Sequence, residues 1–358
     1  MQKNYPLIIL GAGASFDSIS KKVLPQLEYN GSDYERCRPP LTNNLFNRKN
    51  FGKFIDDHVS ARRFEQEIYR LEENQQLSFE DLTTEILLTR APKNKVWYES
   101  LIDLRLYLHD LFRYISLNHF TTRSNYGKLA SLLDRHHSNH AVFVNFNYDL
   151  LLEKQFDPGI KFEHIEDYIS SDLKIIKIHG ACNWFKQLIL ENDIQDHHDA
   201  NKYILSAAQS LIANESNEKN TAEIVISDKN GAYSIPINNK LAYFIPNISL
   251  PINQKIDYVC PTSHIEIFKK EINNIDRVII IGWKAADEYL LKLLSDNLRD
   301  KNIPIFIACH NSSEEVAKRL KEKYNLWSIP LNQGFSDFIE SGKCEEVLTA
   351  TNFDIYKY

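Results

Sequence analysis

With 358 residues, 43% of them hydrophobic and 25% charged, the chain is long enough to bury a full core, as one large domain or two smaller ones. Its 42 Lys and Arg are outnumbered by 48 Asp and Glu, for a formal net charge of -6. This excludes the globally basic surface that nucleic acids and anionic membranes attract. We therefore expect no direct nucleic-acid binding and no membrane association, while local basic patches stay open.

The five cysteines lie far apart in the sequence and include no C-x-x-C pair, so they predict neither a zinc site nor a redox dithiol. We interpret them as reduced thiols of a cytoplasmic protein that needs no metal. They are Cys37, Cys182, Cys260, Cys309 and Cys344.

Apolar runs predict the strands. The run at residues 7–10 is too short for a secretory or membrane segment and leads directly into a glycine motif. Similar runs at 141–144, 173–178 and 278–281, and a fifth at 304–308, are dense in Ile, Val, Leu or Phe without alternation. Strands covered on both faces have this pattern. The sequence thus predicts an α/β fold with a Rossmann-like parallel sheet and helices on both faces.

About 130 residues separate the first two strands, far more than one crossover helix needs, and they predict a helical insertion over about 45–135. Apolar residues recur there at three- and four-residue steps, at 64–71 and again at 101–115. Further helices are expected at 290–298 and 314–324, after the fourth and fifth strands.

A second insertion, after the third strand, is polar and spans about 192–253. Its most loop-like part is 214–220. The Asn-Gly pair at 230–231 separates two apolar stretches, 225–227 and 232–235, and favours a tight β-turn. We therefore expect a hairpin within this insertion.

The motif G-A-G-A-S occupies residues 11–15, immediately after the first strand. Glycine lets the backbone turn sharply and approach a ligand, and free amides at a helix start hold a pyrophosphate. The third glycine of a dinucleotide fingerprint is absent, and no acidic residue marks the end of a second Rossmann strand. The motif is either a phosphate-binding turn or a tight turn without a ligand.

The second strand ends in N-F-N-Y-D at residues 145–149. Ligands gather at the carboxyl ends of parallel strands, and the amide of Asn147 can orient a water or a ribose hydroxyl. Alternatively, Asn147 and Asp149 cap a helix beginning near Leu150.

The third strand ends in I-H-G, where His179 can titrate near neutrality and act as a general base. A purely structural histidine is the alternative. The fourth strand ends in I-G-W with Gly282, and the following Asp287 is suited either to a ribose or to a helix cap. After the fifth strand, Asn311 is suited to a ribose or to a turn.

Together the strand ends form an ordered set: G-A-G-A-S, N-F-N-Y-D, I-H-G, I-G-W and H-N. This order resembles the sirtuin family, and more closely its divergent bacterial branch of NAD hydrolases in antiviral defence. The resemblance runs over about 7–335. It implies one NAD-binding catalytic domain over 1–340, with a C-terminal tail at 341–358.

The resemblance also implies roles for particular residues, with NAD⁺ as the substrate. Asn147 is catalytic and positions the attacking water, and His179 takes a proton from ribose or water. The residues expected to contact NAD⁺ are Gly11, Ala12, Gly13, Ser15 and Asp17 in the glycine loop, Asn147 and Asp149 after the second strand, and Gly282, Asp287 and Asn311 on the adenosine side.

Two departures from the family bear on the reaction. Protein-deacylating sirtuins carry a four-cysteine zinc module, which this chain lacks, and Trp283 stands where they usually have a small hydroxyl residue. We therefore expect an NAD⁺ hydrolase that gives nicotinamide and ADP-ribose. A protein deacylase and a non-catalytic NAD or ADP-ribose sensor are the alternatives.

An unrestrained NAD⁺ hydrolase would exhaust its own cell, so the resemblance also predicts control. Homo-oligomerisation, a small nucleotide signal or a partner such as a translocase-like ATPase would each provide it. The sequence does not distinguish among them. Such control can act on the polar insertion at about 192–253, as a mobile segment near the cleft.

Overall fold

A computed structural model of the chain describes residues 5–20, 37–74, 78–156, 159–188, 200–215, 223–237, 240–252 and 259–350. The chain divides into two compact units. The first comprises Met1–Pro39, Asn118–Ile178 and Thr262–Tyr358, and the second comprises Pro40–Leu117 and His179–Pro261.

Strands and helices alternate through much of the described chain. The strands are β1 Tyr5–Leu10, β2 Ala141–Asn145, β3 Leu173–Lys177, β4 Gly180–Leu188, β5 Ile224–Ile226, β6 Tyr233–Ile237, β7 Lys240–Ile248, β8 Ile275–Ile281, β9 Ile305–Ala308 and β10 Ile329–Pro330. The helices are α1 Ala12–Phe16, α2 Arg48–Asp57, α3 Arg62–Asn74, α4 Phe79–Glu85, α5 Val96–Asn118, α6 Asn125–His137, α7 Asp167–Ser170, α8 Ala200–Ser206, α9 Ala208–Glu215, α10 Thr262–Glu271, α11 Glu288–Leu298, α12 Ser313–Tyr324, α13 Phe335–Glu340 and α14 Lys343–Thr349.

The first unit is built on a six-stranded sheet in the order β10-β9-β8-β1-β2-β3, and its strand pairs are parallel. Every residue of β2 and β9 is buried, as is expected of strands covered on both faces. The Rossmann-like α/β fold and the five predicted strands are confirmed. The sixth strand, β10, has two residues and was not predicted, because so short a segment has no apolar run to detect.

Strand β1 lies in the middle of this sheet, between β2 and β8. Its Leu7 pairs with Val142 on one side and Val278 on the other. The register brings the carboxyl ends of these strands to one edge, where Leu10 pairs with both Asn145 and Ile281. The chain segments that follow the strands, in which the candidate site residues lie, therefore start at the same edge.

The helices predicted after β8 and β9 are α11 and α12. Helix α11 buries Leu290, Leu291, Leu294 and Leu298, which recur at helical spacing. The expected tail is partly ordered structure: α14 buries Cys344, Val347 and Leu348. Residues 351–358 of that tail lie outside the described residues.

The second unit combines the helical insertion, α2 to α5, with an antiparallel sheet in the order β5-β4-β7-β6. One core cluster joins Ile102 and Leu106 of α5 to Ile204 of α8 and to Tyr243 and Ile245 of β7. The insertion expected to be a polar loop thus includes two helices and three strands. Of its most loop-like stretch, residues 216–220 lie outside the described residues.

The expected hairpin across the Asn-Gly turn is wrong. Strand β5 pairs with β4, and β6 pairs with β7. Backbone groups at the turn are used by other elements instead: Gly231 donates to the Asp110 carboxylate at 3.2 Å, and Ala232 donates to the Asn201 side chain at 2.8 Å. These contacts hold the turn residues away from the pairing that a two-residue hairpin requires.

A buried ionic cluster lies at the start of the helical insertion. His58 Nδ1 lies 2.8 Å from Asp103 Oδ1, and its Nε2 lies 3.1 Å from Asp110 Oδ2. Burial alone would lower the pKa of His58, but the hydrogen bonds and charges of the two carboxylates outweigh it and raise the pKa to about 9. His58 is therefore a cation at neutral pH.

No helix of the described chain is both long and apolar enough to cross a membrane.

Candidate functional site

The glycine loop packs directly against the end of β8. The Gly11 amide donates to Ile281 O and the Gly13 amide donates to Gly282 O, both at 3.0 Å. A Cβ at Gly11 would lie 2.4 Å from Gly282 O, and one at Gly13 would lie 2.9 Å from Gly282 Cα. Both positions therefore need glycine for close backbone approach, whether or not a ligand is bound.

Gly282, at the end of β8, lies on the other side of the contact with the glycine loop. Its φ is +60°, and a Cβ there would lie 2.2 Å from the amide nitrogen of Ala14. Ala14 N donates to Gly11 O at 2.9 Å, so the amides of Gly11, Gly13 and Ala14 all have partners within the protein. Ala12 is exposed. Phosphate binding by this loop stays a prediction, with Ala12 better placed to donate than the two glycines.

Asn147 is held where β2 ends, with 5% of its surface exposed. Its backbone amide donates to Asn145 Oδ1 at 2.9 Å, while its side-chain Nδ2 donates to Gly11 O at 3.0 Å and to the Tyr126 hydroxyl at 3.4 Å. Both hydrogens of Nδ2 are used. The side-chain oxygen accepts no hydrogen bond from the described part of the chain, so the carboxamide has an acceptor to offer a ligand.

The capping interpretation of these residues is wrong for Asn147, whose side chain caps no helix. No α-helix begins near Leu150; a 3₁₀ turn at Glu153–Gln155 follows instead. Asp149 Oδ1 accepts from the Leu151 amide at 3.1 Å, a local turn contact.

Tyr126, at the start of α6, belongs to this cluster and was not predicted. It is fully buried, its hydroxyl lies 2.9 Å from Ser15 Oγ, and its ring packs edge-on against Phe335. Burial, followed by the charge of Asp149, raises its pKa well above the usual value, so the hydroxyl stays protonated. Nothing in the sequence around Tyr126 sets it apart from a core residue, and the tertiary contact alone reveals it.

A buried ionic contact lies next to Asp149, two residues after Asn147. Lys177 Nζ is 2.7 Å from Glu153 Oε1 and donates to Asp149 O at 2.5 Å. Burial raises the pKa of both Asp149 and Glu153, and the Lys177 ammonium opposes that rise in each. Burial therefore favours the protonated form of each carboxyl group, and the Lys177 charge favours the ionised form.

His179 falls in the second unit and is half-buried. Its carbonyl accepts from the Ser249 amide at 2.9 Å. Gly180 has φ +78°, and a Cβ there would lie 2.0 Å from Asn247 O, so glycine is required where the chain turns into β4. The catalytic assignment of His179 stays a prediction.

The remaining predicted ligand residues differ in whether their side chains already hydrogen bond within the protein. Both carboxylate oxygens of Asp17 accept from Ser336, from its amide at 2.8 Å and its hydroxyl at 2.6 Å. Asp287 caps α11 by accepting from the Leu290 amide at 2.8 Å. Asn311 is exposed in a 3₁₀ turn. Structural roles thus account for Asp17 and Asp287, whereas Asn311 presents its side chain to solvent.

Trp283 is buried and its ring stacks on Phe146, with centroids 5.0 Å apart and planes 20° apart. Its carbonyl accepts from the Cys309 thiol at 3.4 Å. This position, which departs from the deacylases, is therefore occupied by an aromatic pair.

All five cysteines are buried free thiols, and within the described residues no group of three His, Cys, Asp or Glu could hold a metal ion.

No family model and no curated protein matches the sequence. Among solved structures, a mutant Sir2 homologue in complex with 2'-O-acetyl ADP ribose aligns over 97% of this chain and 94% of its own, with 11% identity and a TM-score of 0.41. A Sir2 homologue in complex with NAD aligns over 96% of this chain and 91% of its own, with 11% identity and a TM-score of 0.40. The structural neighbours are thus Sir2 homologues of low sequence identity.

Proposed function

We propose that this protein binds NAD⁺ and cleaves its nicotinamide–ribose bond, with water as the acceptor. The observation that carries the proposal is Asn147, a buried carboxamide that follows a central parallel strand. Both of its N–H groups donate, and its oxygen accepts from no donor among the described residues. The ordered strand-end motifs that resemble the sirtuins supply the substrate class.

Nicotinamide in NAD⁺ is already a cationic leaving group, so breaking its bond to ribose needs no strong acid. Positive charge develops on the sugar as the bond stretches. The protein has to orient the ring, stabilise that charge and hold a nucleophile opposite the leaving group. In this proposal the Asn147 oxygen accepts a hydrogen bond from the attacking water. His179 acts as a general base that takes a proton from ribose or water.

Three acceptors would give three products. Water gives ADP-ribose, an acylated lysine gives deacylation, and a hydroxyl of ADP-ribose itself gives a cyclic product. The missing four-cysteine module argues against the deacylase, which leaves water as the favoured acceptor. The role that the resemblance implies is NAD⁺ depletion in the cytoplasm as part of bacterial antiphage defence.

The test is to incubate the purified protein with NAD⁺ and separate the products by chromatography. Free nicotinamide and ADP-ribose without any added peptide are the expected result. Turnover only with an acylated peptide would identify a deacylase. Binding of NAD⁺ without any product would identify a sensor, and either outcome would overturn the proposal.

Control belongs to the same proposal, because constant NAD⁺ cleavage would harm the producing cell. We expect the isolated protein to be a homo-oligomer of low activity, and a small nucleotide or a partner such as a translocase-like ATPase to raise its turnover. A differential binding energy of about 1.4 kcal/mol changes the ratio of two states tenfold, so a modest preference of the activator is enough. Full activity of an isolated monomer at every concentration would contradict this part.

A further inference from the structure

Tyr126 links the glycine loop to the residue proposed to hold the nucleophile. Its hydroxyl lies between Ser15 Oγ at 2.9 Å and Asn147 Nδ2 at 3.4 Å. It comes from α6, outside every strand-end motif, and it is fully buried. A tyrosine hydroxyl costs free energy when it is desolvated, so a buried one needs hydrogen-bond partners.

The chemistry of the donors fixes the direction of these bonds. An amide nitrogen only donates, so the Tyr126 oxygen must accept from Asn147. Among the described residues Tyr126 has no other acceptor than Ser15 Oγ, so its own proton points there. The bonds therefore run in one order, from Asn147 through Tyr126 to Ser15.

The same contacts fix which way the carboxamide of Asn147 faces. Gly11 O only accepts, and it lies 3.0 Å from Nδ2. Rotating the amide by 180° would set two oxygens against each other at that distance. With the Gly11 carbonyl and the Tyr126 hydroxyl each taking one hydrogen of Nδ2, the oxygen is left facing away from both.

We infer that Tyr126 is a positioning residue for the proposed NAD⁺ cleavage, holding the Asn147 carboxamide in the orientation in which its oxygen receives the nucleophile. This inference rests on the proposed function. Tyr126 itself touches no reacting atom. Its removal acts through the geometry of Asn147, and errors of about 1 Å in such geometry cost up to about 10²-fold in rate.

The test is Tyr126→Phe, which keeps the ring and its packing on Phe335 but removes the hydroxyl. The control is Tyr168→Phe, another fully buried tyrosine of the first unit, whose ring packs on Phe162. We expect Tyr126→Phe to lower kcat for nicotinamide release at least tenfold. Its KM for NAD⁺, and its affinity for ADP-ribose in calorimetry, should stay within about threefold of the parent. Tyr168→Phe should leave kcat unchanged.

The readouts separate the possible failures. Wild-type kcat in Tyr126→Phe, in an active parent, overturns the positioning role and leaves the proposed function intact. A fall in kcat that is matched by equal losses of ADP-ribose affinity and thermal midpoint shows a merely structural role and also overturns it. A parent that neither releases nicotinamide nor binds ADP-ribose overturns the proposed function, and the inference with it.

Discussion

Substituting Gly282 with alanine tests the contact between the glycine loop and the end of β8. Two costs combine at this position. A φ of +60° is disfavoured for alanine by about 1–2 kcal/mol, and a Cβ placed 2.2 Å from the Ala14 amide nitrogen forces the backbone apart, at about 1–3 kcal/mol. We expect Gly282→Ala to lower the free energy of unfolding by about 2–5 kcal/mol, a large part of the stability of a typical domain.

Two other glycines of the first unit separate these costs. Gly342 has φ +77°, and a Cβ there would have nothing within 4 Å, so Gly342→Ala should lose only the conformational part. Gly11 has φ -106°, and its Cβ would lie 2.4 Å from Gly282 O, so Gly11→Ala should lose only the steric part. Urea unfolding followed by tryptophan fluorescence measures all three. A loss in Gly282→Ala no larger than that in Gly342→Ala would refute the steric argument.

Three further outcomes are expected. Asn147→Ala and His179→Ala should each lower nicotinamide release by about 10²–10⁴-fold while the circular dichroism spectrum is kept; wild-type turnover in both would remove them from the chemistry. A chelator such as EDTA should leave turnover intact, whereas loss restored by stoichiometric zinc would reveal a metal site. The pKa of His58 is raised to about 9 from 6.5, so its stabilisation is complete below pH 6.5 and is lost as pH rises through 9. Unfolding free energies of the parent and His58→Gln should therefore converge over that range, and parallel curves would contradict the assigned cluster.

Local patterns were sufficient for five of the six strands of the parallel sheet. Its strands are continuous apolar runs, and their burial on both faces is what removes the alternation. The motifs at their ends were found for the same reason, since each begins where an apolar run stops. In the antiparallel sheet the apolar stretches of β5 and β6 were expected as strands, but their partners were not. Partial exposure weakens their pattern: β5 is half-buried throughout, and β6 ends in three exposed residues. Its pairing depends on β4 and β7, which lie far apart in the sequence.

In the candidate site too, contacts between distant segments could not be predicted from local sequence. Asn147 was predicted because it follows a strand, but the partners that fix its side chain come from distant segments, Gly11 and Tyr126. The resemblance implies NAD⁺ contacts for Asp17 and Asp287, and both accept hydrogen bonds from helix amides. Their contact with NAD⁺ stays a prediction. An acidic residue near a glycine turn serves either role, and local sequence does not distinguish them.

The central place of β1 has a consequence for how the chain is made. One of its two neighbouring strands, β8, is synthesised about 270 residues after β1, and Ser336, which binds Asp17, comes later still. At about 5–20 residues per second, one edge of β1 waits about 15–50 s for its partner. During that interval the glycine loop has no β8 to pack against. A nascent chain therefore has no partner for this edge of β1, or for the glycine loop that follows it, until residues 275–281 have been made.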